Sequence, residues 1–364
     1  MKKLILLLIC IIGLNSFSDQ IEQDEYLKGK ILHLKNIIVN PVPDSDGVKK
    51  IENYEVEILE GTDKGKKVLI EFPIYEESAY NIDVREGQKV VLYKDNMSGL
   101  PELYYIVDID KRGHEMGIAL LFIGLTVIIA KMKGVRALLS LAIVIGLIYK
   151  LFLPAISNGY SPILISTICA LIASVVTIFI TTGYSKKGIV AILGSVIGVT
   201  CAGLISMFFS RQMSLTGYVT VEALNYATLL KGIKIKEIIS AGVILGSMGA
   251  VMDVAMSISS ALTELKRRDP SITKKELFDV GMRIGQDIIG TMVNTLILAY
   301  IGSGILSTLF IYLQKDQYPL IRILNFESIA EDIIRAVAGS IGILIAVPVT
   351  AYLSGLIKEK TVEK

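Results

Sequence analysis

Long apolar segments, separated by short polar and basic stretches, dominate the chain after Gly113. Seven of them reach about the length that an α-helix needs to cross a bilayer, which is roughly 20 residues. They cover residues 116–130, 135–153, 161–181, 188–210, 238–262, 284–313 and 333–357. This pattern predicts an α-helical polytopic membrane domain of about seven spans over residues 113–358, followed by a cytosolic tail at 359–364.

The first 112 residues are patterned differently. A basic start and a short apolar run, Leu4 to Leu14, are typical of a secretory signal peptide, which we predict over residues 1–18. An uncleaved anchor is the alternative. Residues 19–112 alternate in short runs between turn-forming stretches, which predicts a small β domain with an OB-like barrel as its candidate topology. The expected strands are 29–39, 51–59, 66–72, 88–93 and 103–109.

Composition supports a membrane protein. Hydrophobic residues make up 52% of the chain, its mean hydropathy is +0.59, and it contains no Trp. A net charge of +2 gives no indication of nucleic acid as a partner. The three cysteines lie in apolar runs without paired spacing, so neither a disulfide framework nor a metal site is expected. The lipid bilayer is the first partner that the sequence predicts.

The distribution of basic residues predicts an orientation. If the β domain lies outside the cytosol, the cytosolic ends of the seven segments carry twice as many lysines and arginines as the opposite ends. The positive-inside rule therefore predicts an extracytoplasmic β domain and a cytosolic C-terminus. One outer connection, residues 220–237, has helical patterning and is expected to be an interfacial, re-entrant or ordinary surface helix.

Candidate chemistry lies in the fifth and sixth segments, which form a hairpin. Each carries an aspartate, Asp253 or Asp287, in an apolar run. Such a residue costs roughly 2.5–3.5 kcal/mol at the bilayer centre, so it is expected to face a partner or water. Small or polar residues recur with it at helical spacing, and we predict these as ion- or substrate-binding residues: Ser257, Ser260, Thr291, Asn294 and Thr295. Gly246, Gly249, Gly290 and Pro348 are predicted to serve helix packing or hinge motion.

Helical rise predicts different depths for the two carboxylates. Counted from Leu262 and Ile284, Asp253 lies roughly 13 Å deep and Asp287 roughly 5 Å. We therefore expect two levels, with Asp253 near Asn294 and Asp287 near the serines. The alternative is that both aspartates only join helices through hydrogen bonds.

Several enzyme classes lack support in the sequence. The chain has no phosphate-binding Gly-x-x-x-x-Gly-Lys-Ser/Thr motif, and His114-Glu115 lacks the second histidine of a zinc protease. An intramembrane aspartyl protease needs two aspartates that share a proton, and the difference in depth argues against it. We expect no enzyme activity, no cofactor and no metal.

Long blocks in the hairpin and the last segment resemble the YibE/F-like family of bacterial multi-pass membrane proteins. They are Gly249–Leu262 with Glu264, Glu276–Phe278, Gly281-Met282, Ile284-Gly285, Asp287-Ile288, Gly290–Tyr300, Ile334-Arg335, Ala338–Gly342 and Pro348–Thr350. The resemblance implies a permease-like protein of the bacterial cytoplasmic membrane. It carries over no catalytic or substrate residues.

Two functions follow as hypotheses. The first is a permease or secondary transporter that moves a proton, a cation or a small solute through the polar hairpin. The second is a non-catalytic scaffold or sensor subunit whose β domain recruits an envelope protein. A homo-oligomer is compatible with both.

Overall fold

The computed structural model describes residues 26–39, 47–76, 81–95, 102–219 and 232–356. Contacts divide the chain into two compact units, which meet in sequence between Thr126 and Val127. We call them the β unit and the helical unit. The predicted signal peptide, most of the predicted helix at 220–237 and the C-terminal tail lie outside the described residues.

The β unit is an antiparallel sheet of five strands, as predicted. The strands are β1 (Tyr26–Val39), β2 (Val48–Ile58), β3 (Lys67–Tyr75), β4 (Lys89–Asp95) and β5 (Leu103–Ile109). Alternate residues of the strands point to one face and form its core, where Ile31, Val56 and Leu92 are fully buried.

The five-stranded β domain is confirmed, and because its edge strands are in contact without closing the sheet by hydrogen bonds, the OB-like topology stays a prediction. The strand order is β3-β2-β1-β4-β5, which leaves β3 and β5 at the two edges. Within β1, only Tyr26–Lys30 at its start pair with the short β4, while the rest of β1 pairs with β2 alone. Closure would require hydrogen bonds between β3 and β5, and each pairs instead with a single neighbour among the described strands.

The described residues that follow the sheet contain six helices that are long and apolar enough to cross a membrane. The first, α1 (Arg112–Leu147), continues through a π-helical turn (Ile148–Phe152) into α2 (Leu153–Ser157). The other five are α3 (Pro162–Thr182), α4 (Lys186–Gln212), α5 (Ile235–Arg268), α6 (Lys274–Ser303) and α9 (Glu327–Leu356). The shorter α7 (Ile305–Leu313) and α8 (Leu320–Leu324) lie between α6 and α9.

The seven predicted segments thus correspond to six long helical stretches. The first two both lie within the 46 residues of Arg112–Ser157. These would measure roughly 70 Å as one straight helix, more than twice a hydrocarbon core of about 30 Å. The backbone breaks between the two segments at Lys131, where φ is 51° and ψ is −134°. The predicted segment 284–313 is also divided, because α6 ends at Ser303.

Helix α9 lies at the centre of the helical unit and packs against α4, α5 and α6. Close contact between α4 and α9 depends on paired glycines. A Cβ added at Gly198 would lie 2.7 Å from the carbonyl oxygen of Gly342, which leaves no room for a side chain. Small residues at such positions let helix backbones approach closely in membranes.

The start of α6 is defined by its sequence. The Thr273 hydroxyl accepts a hydrogen bond from the Glu276 amide at 3.2 Å, and the Glu276 carboxylate accepts one from the Thr273 amide at 2.9 Å. This is the reciprocal capping box expected of Thr-x-x-Glu. It begins the helix that carries Asp287.

Candidate functional site

Helix α5 has two chemically different faces. One face is buried against α4 and α9 and carries Ile244, Val251 and Ile258, all fully inaccessible. The opposite face carries Gly242, Gly246, Gly249, Asp253 and Ser257, all exposed on the surface of the helical unit. The small and polar stripe predicted from the sequence is therefore one continuous face, and it points away from the core.

Asp253 lies near the middle of α5 on this outward face. Among the described residues its carboxylate has neither a hydrogen bond nor an ion pair with any other side chain. Buried serines of the same helix differ. The Ser247 hydroxyl donates to the Val243 carbonyl at 2.6 Å, and the Ser259 hydroxyl donates to the Lys187 carbonyl of α4 at 2.7 Å. The polar groups that hold α5 in place thus lie on its buried face, and Asp253 does not belong to them.

Helix α6 also directs its predicted site residues outward. Asp287, Thr291, Asn294 and Thr295 are all exposed. The two threonines donate to their own helix, Thr291 to the Ile288 carbonyl at 2.9 Å and Thr295 to the Thr291 carbonyl at 2.8 Å. Within the described ranges, Asp287 and Asn294 have no side-chain partner.

Helix α6 is the least covered of the long helices. Only 11% of its most apolar stretch is buried, compared with 61% for α5 and 56% for α9. It packs on α9, α5 and the short α7. Its exposed residues include both apolar and ionisable ones. Ionisable side chains are unfavourable in hydrocarbon, so in a membrane this face of α6 is expected to contact water or another protein surface.

At neither of the two predicted depths does a direct hydrogen bond join α5 to α6 in the described chain. No hydrogen bond links Asp253 to Asn294, and none links Asp287 to a serine of α5 there. Ser260 is half-buried, and its hydroxyl approaches the sulfur of Met256 at 3.5 Å. The pairing of residues across the hairpin stays a prediction.

The glycines of the hairpin have different surroundings. Gly249 and Gly290 have open space where a Cβ would stand. A Cβ at Gly246, by contrast, would lie 2.6 Å from the hydroxyl of Tyr300. Gly246 therefore allows α5 and α6 to come into contact, whereas Gly249 and Gly290 leave the outward face without a projecting side chain.

Tyr300 was not among the predicted site residues. Its ring reaches the junction of α5, α6 and α9, close to Gly246 and Gly339. Its hydroxyl is buried and has no hydrogen-bond partner among the described residues. The sequence signal is weak, because a tyrosine at the end of an apolar segment usually marks the membrane interface.

Two further features lie in α9. Arg335 pairs with Glu331 at 2.8 Å and with Asp332 at 3.7 Å, four and three residues before it on the same helix. Pro348 lies inside the helix, which continues to Leu356. The described residues hold no group of three or more His, Cys, Asp or Glu side chains that could bind a metal ion together.

Comparison with known proteins identifies the helical unit. The profile of the YibE/F-like protein family matches residues 118–360, which is most of the chain. The protein belongs to the YibE/F-like family. No curated protein and no solved structure matches it.

The matched range of the YibE/F-like protein begins in α1 and includes the whole hairpin. The five-stranded sheet lies before it. The match thus covers the helices that carry Asp253 and Asp287.

Proposed function

We propose that this YibE/F-like protein is a permease or secondary transporter that moves a proton, a cation or a small solute along the outward faces of α5 and α6. The observation that carries the proposal is the position of Asp253. It is an exposed carboxylate in the middle of a long apolar helix, without an ion pair in the described chain.

An unpaired carboxylate of this kind is better suited to a role in transport than to stabilising the fold. A carboxylate that stabilises a fold normally has a cation or several donors beside it. Asp253 has neither in the described residues, so it is free to exchange a proton or a cation with whatever lies next to it. Asp287, Thr291 and Asn294 extend the polar surface along α6 and provide further oxygen ligands.

The proposed path is open along the exposed face of α6, which none of the other described helices covers. A second copy of the chain, placed with its own hairpin facing this one, would enclose the polar faces and exclude lipid. The exposed glycines on both helices favour close approach of such a neighbour. Transport in a homo-oligomer is therefore the form of the proposal that the geometry supports best.

Flux into liposomes tests the proposal. The full-length protein is reconstituted, and proton and cation movement is followed under imposed gradients. Asp253→Asn should reduce flux to the level of empty liposomes, and Asp287→Asn should reduce it less. Glu264→Gln is the matched control, because Glu264 lies at the end of α5 and already pairs with Arg267 and Arg268.

Unchanged flux in an Asp253→Asn protein that retains its melting temperature would refute the path through α5. Absence of flux for the wild-type protein under all gradients would favour the second candidate, a scaffold or sensor subunit.

One observation favours this second candidate. The outer face of the β unit exposes an apolar and aromatic surface at its β5 edge, formed by Tyr26, Leu103, Tyr105 and Val107. Sheet surfaces of this kind bind other proteins. Under this alternative, Tyr105→Ser with Val107→Ser should abolish binding of an envelope partner, and Asp253→Asn should not affect it.

A further inference from the structure

The helical unit contains a basic cavity at the N-terminal end of α5, away from the hairpin carboxylates. It lies between the C-terminal end of α4 and the N-terminal end of α5 and has a volume of about 410 Å³. Three cations line it: Arg211 from α4, and Lys234 and Lys236 from the start of α5. A cavity of this size accommodates a phosphate group together with several waters.

A buried hydroxyl in the cavity wall has no partner. Ser210 is only 4% exposed, and its Oγ forms no hydrogen bond within the described part of the chain. An unpaired buried polar atom costs free energy, and a ligand in the cavity that reached the Ser210 hydroxyl would remove that cost. The oxygen of an anion satisfies both the hydroxyl and the cations.

The first turn of α5 adds to the attraction for an anion. The helix begins at Ile235, and Lys234 at its N-cap provides no side-chain hydrogen bond to the turn. The N-terminus of a long helix carries partial positive charge and unsatisfied amides, which favour phosphate and carboxylate groups.

One carboxylate, Glu237, also lines the cavity, and both it and the neighbouring Glu327 already have partners. Glu237 accepts a hydrogen bond from the Ser161 hydroxyl and lies 3.9 Å from Lys234. Glu327, which interacts electrostatically with Lys236, accepts hydrogen bonds from the Thr216 hydroxyl at 2.9 Å and the Gly217 amide at 2.8 Å. Arg211 forms no ion pair with any described residue, so in the described lining of the cavity three cations stand against one carboxylate.

We infer that this cavity binds a phosphate-type anion, held by Ser210, Arg211, Lys234 and Lys236. The anion is either a free phosphate group or the headgroup of an anionic lipid, since the cavity lies at the ends of two membrane helices. This inference is independent of transport through the hairpin.

The absence of tryptophan from the chain permits a specific probe. Tyr218 lines the same cavity and is half-buried. Tyr218→Trp therefore creates a protein whose only indole reports on the cavity. The full-length variant is placed in phosphatidylcholine nanodiscs and titrated with inorganic phosphate, with sodium chloride at matched ionic strength as the reference.

Phosphate should change the emission with saturation, and chloride should not. Arg211→Gln with Lys236→Gln should weaken phosphate binding by about a hundredfold, roughly tenfold for each lost charge-assisted contact. Lys315→Gln with Arg322→Gln is the matched control, since it removes the same charge from residues that do not line the cavity. The control should bind phosphate as the parent protein does.

A lipid headgroup gives a different result. Nanodiscs with phosphatidylglycerol should then change the emission without added phosphate and abolish the response to phosphate. Native mass spectrometry of the wild-type chain provides a second readout, because retained phosphatidylglycerol should be lost in the Arg211→Gln, Lys236→Gln variant. If neither phosphate nor phosphatidylglycerol distinguishes this variant from the control in either experiment, the inference is wrong.

Discussion

Charged residues of the β unit core and of the hairpin in the helical unit have opposite surroundings. In the β unit, the buried Lys94 ammonium contacts Asp63 at 2.6 Å and Glu102 at 2.9 Å, and the Tyr104 hydroxyl donates to Asp63 at 2.9 Å. In the helical unit, Asp253 and Asp287 occur in apolar helices with no such partners in the described chain. Charges of the first kind stabilise a fold, while charges of the second kind contribute little to its stability.

The pKa values of the β unit reflect the same pairing. The Lys94 ammonium, with the Tyr104 hydroxyl, holds the pKa of the Asp63 carboxyl below its usual range. The Arg112 guanidinium lowers the pKa of Asp110 to about 2, and Lys28 contributes to this shift. Both carboxyls therefore bind protons less readily in the folded protein than in the unfolded chain.

The largest effect is expected from removing Lys94. Lys94→Met leaves Asp63 without its main cation in a site with little solvent, and the free energy of unfolding of the β unit should fall by about 3 kcal/mol. Hydrogen exchange of the β4 and β5 amides in the full-length protein measures this. Lys64→Met, at an exposed lysine of the same unit, should change it little. Equal effects of the two substitutions would show that the ion pairs of the β unit contribute nothing specific.

A smaller loss is expected on acidification. Because the pKa of Asp110 is lowered by folding, its stabilising contribution is complete above about pH 4 and is lost as the pH falls toward about 2. The protection of the β-unit amides, taken relative to their intrinsic exchange rate at each pH, should therefore decrease across this range. Arg112→Gln should make the β unit less sensitive to acid, since Asp110 would then titrate closer to its ordinary pKa. An acid response unchanged by Arg112→Gln would contradict the assignment to Asp110.

Two glycines of α6 distinguish the buried and outward faces of the helical unit. A Cβ at Gly285 would collide with the Val347 side chain of α9, whereas at Gly290 it meets open space. Gly285→Ala should destabilise the protein by about 1–3 kcal/mol. Gly290→Ala should stabilise it by up to about 1 kcal/mol, because alanine favours the helix. Melting temperatures in one detergent compare the two.

A loss of stability in Gly290→Ala would itself be informative. It would mean that another surface packs against the outward face of α6 in the assembled protein. Measurement of the oligomeric state of both variants distinguishes this from an effect within a single copy.

The smallest effect is expected for the hairpin carboxylates. Asp253→Asn removes a charge that has no partner in the described chain, so the free energy of unfolding should change by less than about 0.5 kcal/mol. Thermal unfolding of the full-length protein measures this. Stability lost on the scale of Lys94→Met would show that Asp253 is a structural residue and would remove the contrast between the two units.

Much of the architecture was available from the sequence. Apolar segments of spanning length predicted the long helices, and alternation predicted all five strands, because both periodicities follow from local backbone geometry. The capping box at Thr273 and the pairing of Arg335 with Glu331 also follow from local spacing. These interactions involve residues only three or four positions apart on one helix.

Contacts between residues far apart in the chain could not be predicted from the sequence. Whether the sheet closes depends on the partner of each edge strand, and alternation within a strand does not specify that partner. The stripe containing Asp253 was visible as a pattern, but its direction away from α9 follows from which face of α5 the other helices cover. The unpaired Ser210 and Tyr300 hydroxyls and the basic cavity likewise arise only where separate helices meet. Local spacing determined the elements and their chemical faces, while packing decided which of those faces are buried and which stay open to a ligand.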